Sequence, residues 1–296
     1  MEDLYIYKCV SDDLDSIPKS VVDKLSVGFP EVHKTREGLI TLSKEFKSFS
    51  KDKFCRLPFC STVEAESLGA SINYGNKDFG PRVLKRAFEN LEDLRDNLKF
   101  DLNKGRISEV LRTVEDLKGS GEKVILNVSG PLTILDSLIE SRIIFKALRK
   151  EPEIVEEILV KLENFIVEYI RKAMDVGADI ISFADPLGNV DIMGEKVYCK
   201  LSGIPSRNIL NGIHPYSKGK IIHLCGKNTY SLYKCKLTNM EKLYVDEFIS
   251  EDGCTYGDIL NNLINKDEIN PIIGNYCVKK TTFEMKKNYI WKIEFI

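Results

Sequence analysis

The chain has 296 residues, 43% of them hydrophobic and 30% charged, with 43 basic and 45 acidic side chains for a formal net charge of −2. That length buries a full core, and balanced charge without a basic block excludes the electrostatic footprint of a nucleic-acid binder. No stretch approaches the roughly 18 apolar residues of a membrane span. The start, Met1-Glu2-Asp3-Leu4, lacks the basic segment and apolar run of an export signal, so a soluble, cytoplasmic protein is expected. Its eight cysteines are then expected to be reduced, as metal ligands or small core residues.

In chain order, residues 1–50 read as a helical extension, with Thr35 to Phe49 its clearest helix, and residues 51–296 as one barrel domain. Strands are predicted from Phe54 to Phe59, Lys123 to Ser129, Asp179 to Ala184, Lys220 to Leu224, Lys242 to Asp246, Pro271 to Asn275 and Tyr289 to Phe295. Those after Gly121 and Gly177 have continuous apolar runs, as strands covered on both faces require. Helical spacing marks about Arg82 to Leu98 and Ile107 to Leu117. It is strongest from Glu151 to Val176, where Val155, Ile158, Leu159, Leu162, Phe165, Ile166, Ile170 and Ala173 form one stripe. Pro152 suits the first turn of that helix and Gly177 its stop. Strands alternating with helices point to a parallel sheet, and the expected fold class is α/β, a (β/α)8 TIM-type barrel with an N-terminal helical extension. Seven strands against the eight of such a barrel leave one unit unassigned.

His223 and Cys225 lie two apart at the end of a predicted strand, so both side chains share a face and offer zinc an imidazole and a thiolate. Gly226 follows, where the backbone turns away at the end at which barrels carry their chemistry. Cys277 holds the equivalent place after Ile272-Ile273-Gly274-Asn275-Tyr276. Three protein ligands with an open fourth position is the catalytic zinc arrangement. An oxygen from Asp246 or Glu247 would complete the shell at rest, a helix-capping carboxylate being the alternative. Cys9, Cys55, Cys199, Cys235 and Cys254 read as small core residues, and His33 and His214 as surface or structural. Glu64 and Glu66, two apart after Leu57-Pro58-Phe59, cannot share a helix face, so one of them is placed to face the barrel mouth. Asp185 is delivered to the same rim by the preceding strand. A turn or cap role is the competing reading for each of these carboxylates.

Together these residues resemble the uroporphyrinogen decarboxylase superfamily, and within it the zinc-dependent, corrinoid-linked methyltransferases. Leu57 to Gly69 is similar to the Pro-Phe-x-x-Thr-Val-Glu-Ala-Glu-x-x-Gly signature of that branch. Gly130-Pro131-Leu132-Thr133, Ala184-Asp185-Pro186, His223-Leu224-Cys225-Gly226 and Gly274-Asn275 follow in the same order. The resemblance implies zinc on His223, Cys225 and Cys277, with Glu64 and Asp185 near the substrate. It also implies a corrinoid carried by a partner protein and a small-molecule methyl donor or acceptor. One departure is that Cys277 comes two residues after Asn275, where coenzyme M enzymes place their last cysteine tens of residues later. The expectation is therefore methyl transfer from a small donor, such as a methoxylated aromatic, to a corrinoid protein (O-demethylation). A methylcorrinoid:thiol methyltransferase, a decarboxylase and a non-catalytic zinc or corrinoid-handling protein are the alternatives.

Overall fold

The computed structural model describes residues 17–249, 253–264 and 271–296. Its strands are β1 (Phe54–Leu57), β2 (Ser71–Asn73), β3 (Arg82–Lys85), β4 (Lys123–Ser129), β5 (Ile180–Ala184), β6 (Ile221–Cys225), β7 (Thr238–Tyr244), β8 (Ile272–Tyr276) and β9 (Tyr289–Phe295). Seven of them form one sheet in the order β1-β4-β5-β6-β8-β9-β7. The first five run parallel, and β9 is antiparallel to both of its neighbours, β8 and β7. This is the α/β alternation expected, except that the final parallel unit is replaced by an antiparallel pair. Among the described residues no ladder joins β7 back to β1.

The two faces of the sheet feed two cores, because successive side chains on a strand point to opposite sides. Cys55, Leu57, Val124, Leu126, Val128, Ile181, Phe183, Ile222 and Leu224 join the helices on the outer face. The Pro152–Asp175 helix supplies Val155, Ile158, Leu162, Phe165, Ile166 and Ile170 to that core, as its spacing predicted. Each such side chain contributes about 1.5–3 kcal/mol on burial. On the inner face Phe54, Ile125, Ile180, Ile221 and Ile273 form an apolar floor with Tyr256, Ile259 and Leu260 of the Tyr256–Ile264 helix.

The N-terminal Arg36–Ser50 helix starts on Thr35, whose hydroxyl accepts from the Gly38 N–H at 3.1 Å. It lies against the Gly105–Gly119 helix through the Arg36–Asp116 ion pair and against the turn before β4 through Lys47–Glu122. The part of the expected extension before residue 17, including Cys9, lies outside the described residues.

Two local expectations are corrected. The helix predicted from Arg82 to Leu98 begins as β3, paired with β2, and is helical only over Leu91–Asn97, where Asn90 caps it. Pairing with the preceding strand β2 overrides local propensity there. The strand predicted from Lys242 to Asp246 starts earlier, at Thr238, and ends at Tyr244. No described helix is long and apolar enough to cross a membrane.

Candidate functional site

The period of two that builds the apolar floor also builds a cavity above it. One step beyond Phe54, Ile125, Ile180 and Ile221 come Arg56, Asn127, Ser182 and His223, and one step further come Pro58, Ser129, Ala184 and Cys225, all of which line the cavity. Register aligns three of these side by side: Asn127 lies opposite Ser182, and Ser182 opposite His223. The segment after β8 adds Cys277, Val278 and Lys279, the helix after β6 adds Lys227, and Phe46 and Phe59 close an apolar side. The cavity measures about 370 Å³ and stands at the C-terminal ends of the parallel strands.

His223 is fully buried, and neither Nδ1 nor Nε2 has a hydrogen-bond partner. Burial pushes its pKa down to about 3, so the ring is the neutral form that binds metal. The edge of the ring meets Tyr256 with centroids 5.9 Å apart. Two unpaired nitrogens in a buried position are costly unless something binds them. Cys225, the last residue of β6, and Cys277, just beyond β8, line the same cavity. The structure thus brings the three expected zinc ligands into one chamber. Among the described residues, however, no three His, Cys, Asp or Glu side chains are drawn into a metal-holding cluster. The donor types fit zinc, and the orphaned imidazole gives the ion something to satisfy.

The two cysteine-bearing segments are tied by Thr229. Its hydroxyl donates to the Cys225 carbonyl at 3.1 Å and accepts from the Asn275 N–H at 3.0 Å. This contact explains the Gly274-Asn275 pair. A Cβ on Gly274 would lie 2.3 Å from Thr229 Oγ1, and Asn275 adopts a φ of 68°, a left-handed conformation that asparagine tolerates.

Glu64 and Asp185, expected near the substrate, stand behind the wall of the cavity and are not among its lining residues. Glu64 is buried. Its Oε1 accepts from the Ser129 N–H at 2.8 Å, its Oε2 is unpartnered, and burial raises its pKa. Asp185 accepts from the N–H groups of Leu132 (3.2 Å) and Thr133 (2.8 Å) and from the hydroxyls of Thr133 and Ser202 (both 2.6 Å). It therefore caps the Pro131–Leu138 helix from outside. Gly130 precedes that helix because a Cβ there would lie 2.3 Å from the Asp185 Cβ. Asp246 and Glu247, considered for a fourth ligand, are exposed on a turn after β7, and neither lines the cavity. Asp246 accepts from Asn288 Nδ2 at 2.6 Å. β7 runs level with β8 but is separated from it by β9, so its end lies one strand further from the cavity.

Sequence reasoning passed over Arg56, Lys227 and Lys279. Arg56 is a charge inside an apolar strand, two residues from the inward-facing Phe54, and each lysine follows a cavity cysteine by two positions. Those spacings were the available signal.

The Uroporphyrinogen decarboxylase (URO-D) family pattern matches residues 15–275. The chain is similar to the methylcobamide:CoM methyltransferase MtbA of Methanosarcina acetivorans, with 27% identity covering 82% of this chain and 72% of that protein. It is also similar to the methylcobamide:CoM methyltransferase MtaA of Methanosarcina barkeri strain Fusaro, with 26% identity covering 77% and 68%. A solved methyltransferase from Methanosarcina mazei shares the fold, with a TM-score of 0.63 at 22% identity over 75% of this chain and 67% of that one.

Proposed function

The chain belongs to the uroporphyrinogen decarboxylase family, among its methyltransferases, and from that premise we propose that His223, Cys225 and Cys277 hold a zinc ion beside which a small substrate exchanges a methyl group with a corrinoid carried by a partner protein. The observation that carries this reading is the buried His223 ring, with both nitrogens orphaned, in a cavity shared with two cysteines. Zinc bound there would lower the pKa of a substrate thiol or polarise an ether oxygen.

The chain's own residues bind, orient and enclose. Tyr256 packs against the His223 ring and sets its direction. Thr229 holds the Cys225 end of β6 against Asn275, two residues before Cys277. Phe46 and Phe59, with ring centroids 5.3 Å apart, keep water from one side of the cavity. Methyl transfer by direct displacement needs donor, methyl and acceptor in line, so fixing the substrate in a small cavity supplies part of the rate.

A thiol acceptor is the first reading, supported by the similarity to methylcobamide:CoM methyltransferases. A methyl ether donor such as a methoxylated aromatic is the second, favoured by the Phe46 and Phe59 wall. The test is metal analysis of the wild type and of the Cys225→Ser and Cys277→Ser variants, beside methyl transfer with a corrinoid protein. About one zinc per chain, lost in both variants together with turnover, is expected. No zinc in wild-type protein purified without chelators overturns the reading.

A further inference from the structure

We propose that Cys199 and Cys235 form a reversible disulfide, a redox-modification site outside the cavity that clamps the far end of the helix beginning after Cys225. Neither residue lines the cavity, and the inference goes beyond the methyl-transfer reading without depending on it.

The geometry starts with how the Gly226–Lys234 helix is held. Asn228, Ser231 and Lys234 are spaced by three, on one face of that helix, and each ties down the segment that follows β5. The Asp185 N–H donates to Asn228 Oδ1 at 2.7 Å, the Val190 N–H donates to Ser231 Oγ at 3.2 Å, and Lys234 pairs with Asp191 at 3.0 Å. Cys235 is the next residue after the helix. Cys199 lies further along the tied segment, where it opens a wide π-helical turn, Cys199–Gly203. The two stretches meet again just beyond, where a Cβ on Gly203 would lie 2.8 Å from Leu237 Cδ1. Between these contacts the thiol of Cys235 meets that of Cys199. Both thiols are free, and both residues are half-buried at the edge of the outer core, which leaves them open to a small oxidant.

Burial and the adjacent Cys199 push the Cys235 thiol up to about 12, so the first attack falls to Cys199. Its sulfur attacks one sulfur of a small-molecule disulfide and gives up its proton. The S–S bond of that oxidant breaks, and the half that leaves as a thiolate takes up a proton. In the mixed disulfide Cys199 no longer carries a charge that opposes ionisation of Cys235. Cys235 then loses its proton and displaces the second half, which also leaves as a thiol. Two protein thiols become one disulfide while one small disulfide becomes two thiols, so electrons and protons balance. The new bond joins the end of the helix to the turn that carries Ser202, whose hydroxyl donates to Asp185 Oδ2 at 2.6 Å. It therefore adds a covalent tie to the polar ones and suppresses opening of the last helical turn.

The test is oxidation of the folded full-length protein with glutathione disulfide, followed by peptide mass mapping without reduction. Wild type is compared with Cys199→Ser, Cys235→Ser and a Cys225→Ser/Cys277→Ser double variant that keeps the pair and removes two cavity thiols. Wild type and the double variant should yield a Cys199 peptide joined to a Cys235 peptide, two hydrogens lighter than their sum and separated again by dithiothreitol. Cys235→Ser should stop at a glutathione adduct on Cys199, and Cys199→Ser should form its adduct on Cys235 about tenfold more slowly. In the linked protein, amide hydrogen exchange over residues 230–237 should slow by about tenfold. Recovery of Cys199 and Cys235 from wild type as free thiols or separate adducts, or a link that forms only in urea, overturns the proposal. Equal adduct rates in the two single variants overturn the order of attack, and unchanged exchange in linked protein overturns the clamp.

Discussion

Arg56 Nη1 donates to the carbonyl oxygen of Val278 across 3.0 Å, joining residues 222 positions apart and tying β1 to the turn that follows Cys277. The same guanidinium pairs with Asp52, whose side chain is almost wholly buried. Arg56 is thus a strut inside the sheet, and its charge serves the fold before it serves any ligand.

Arg56→Leu should therefore strand the Asp52 carboxylate and release the turn beside Cys277. Breaking a buried pair from one side costs about 3–5 kcal/mol. Urea unfolding should show a loss of that order, together with a lower zinc content per chain. An unchanged unfolding midpoint would remove Arg56 from this role.

The Thr229 hydroxyl is the other tie between the cysteine segments. Thr229→Val keeps the shape and removes the bridge, leaving the buried Asn275 N–H unpaired at a cost of about 1–3 kcal/mol. Zinc should then be released more readily to a competing chelator, while Thr229→Ser, which keeps the hydroxyl, should hold it as wild type does. Equal release from the valine and serine variants would show that the bridge does not organise the metal site.

Burial raises the Glu64 carboxyl above its ordinary value of 4.5, so the folded chain holds that proton more tightly than the unfolded one. Its contribution is fully present below the unfolded value and is lost as pH rises through the folded one. Glu64→Gln has no such proton, and its amide oxygen still accepts from the Ser129 N–H. As pH rises above the ordinary value of 4.5 the variant should gain stability relative to wild type, read as the difference between urea midpoints. Parallel pH profiles for the two proteins would contradict a raised Glu64.

Much of the fold was legible in the order of residues. The run of apolar side chains between Lys123 and Ser129, or the three- and four-residue steps of the Pro152–Asp175 helix, identify their elements because burial imposes the spacing locally. The same logic put His223 and Cys225 on one face before any coordinates. It could not assign Glu64 and Asp185. A carboxylate after a strand looks the same whether it faces a cavity or accepts from the N–H groups of a helix that begins more than fifty residues earlier, as Asp185 does with Leu132 and Thr133.

Asp246 and Glu247 illustrate the same boundary. They follow a strand correctly anticipated in kind, but β9 comes between that strand and β8, which sets both residues one strand further from the cavity. Periodicity in the sequence determined which side chains of a strand or helix share a face, because that depends only on backbone geometry. Strand order and register decided which faces meet, placing Asn127, Ser182 and His223 side by side and bringing Val278 to Arg56. Those are pairings between distant segments, chosen by the packing of the whole chain.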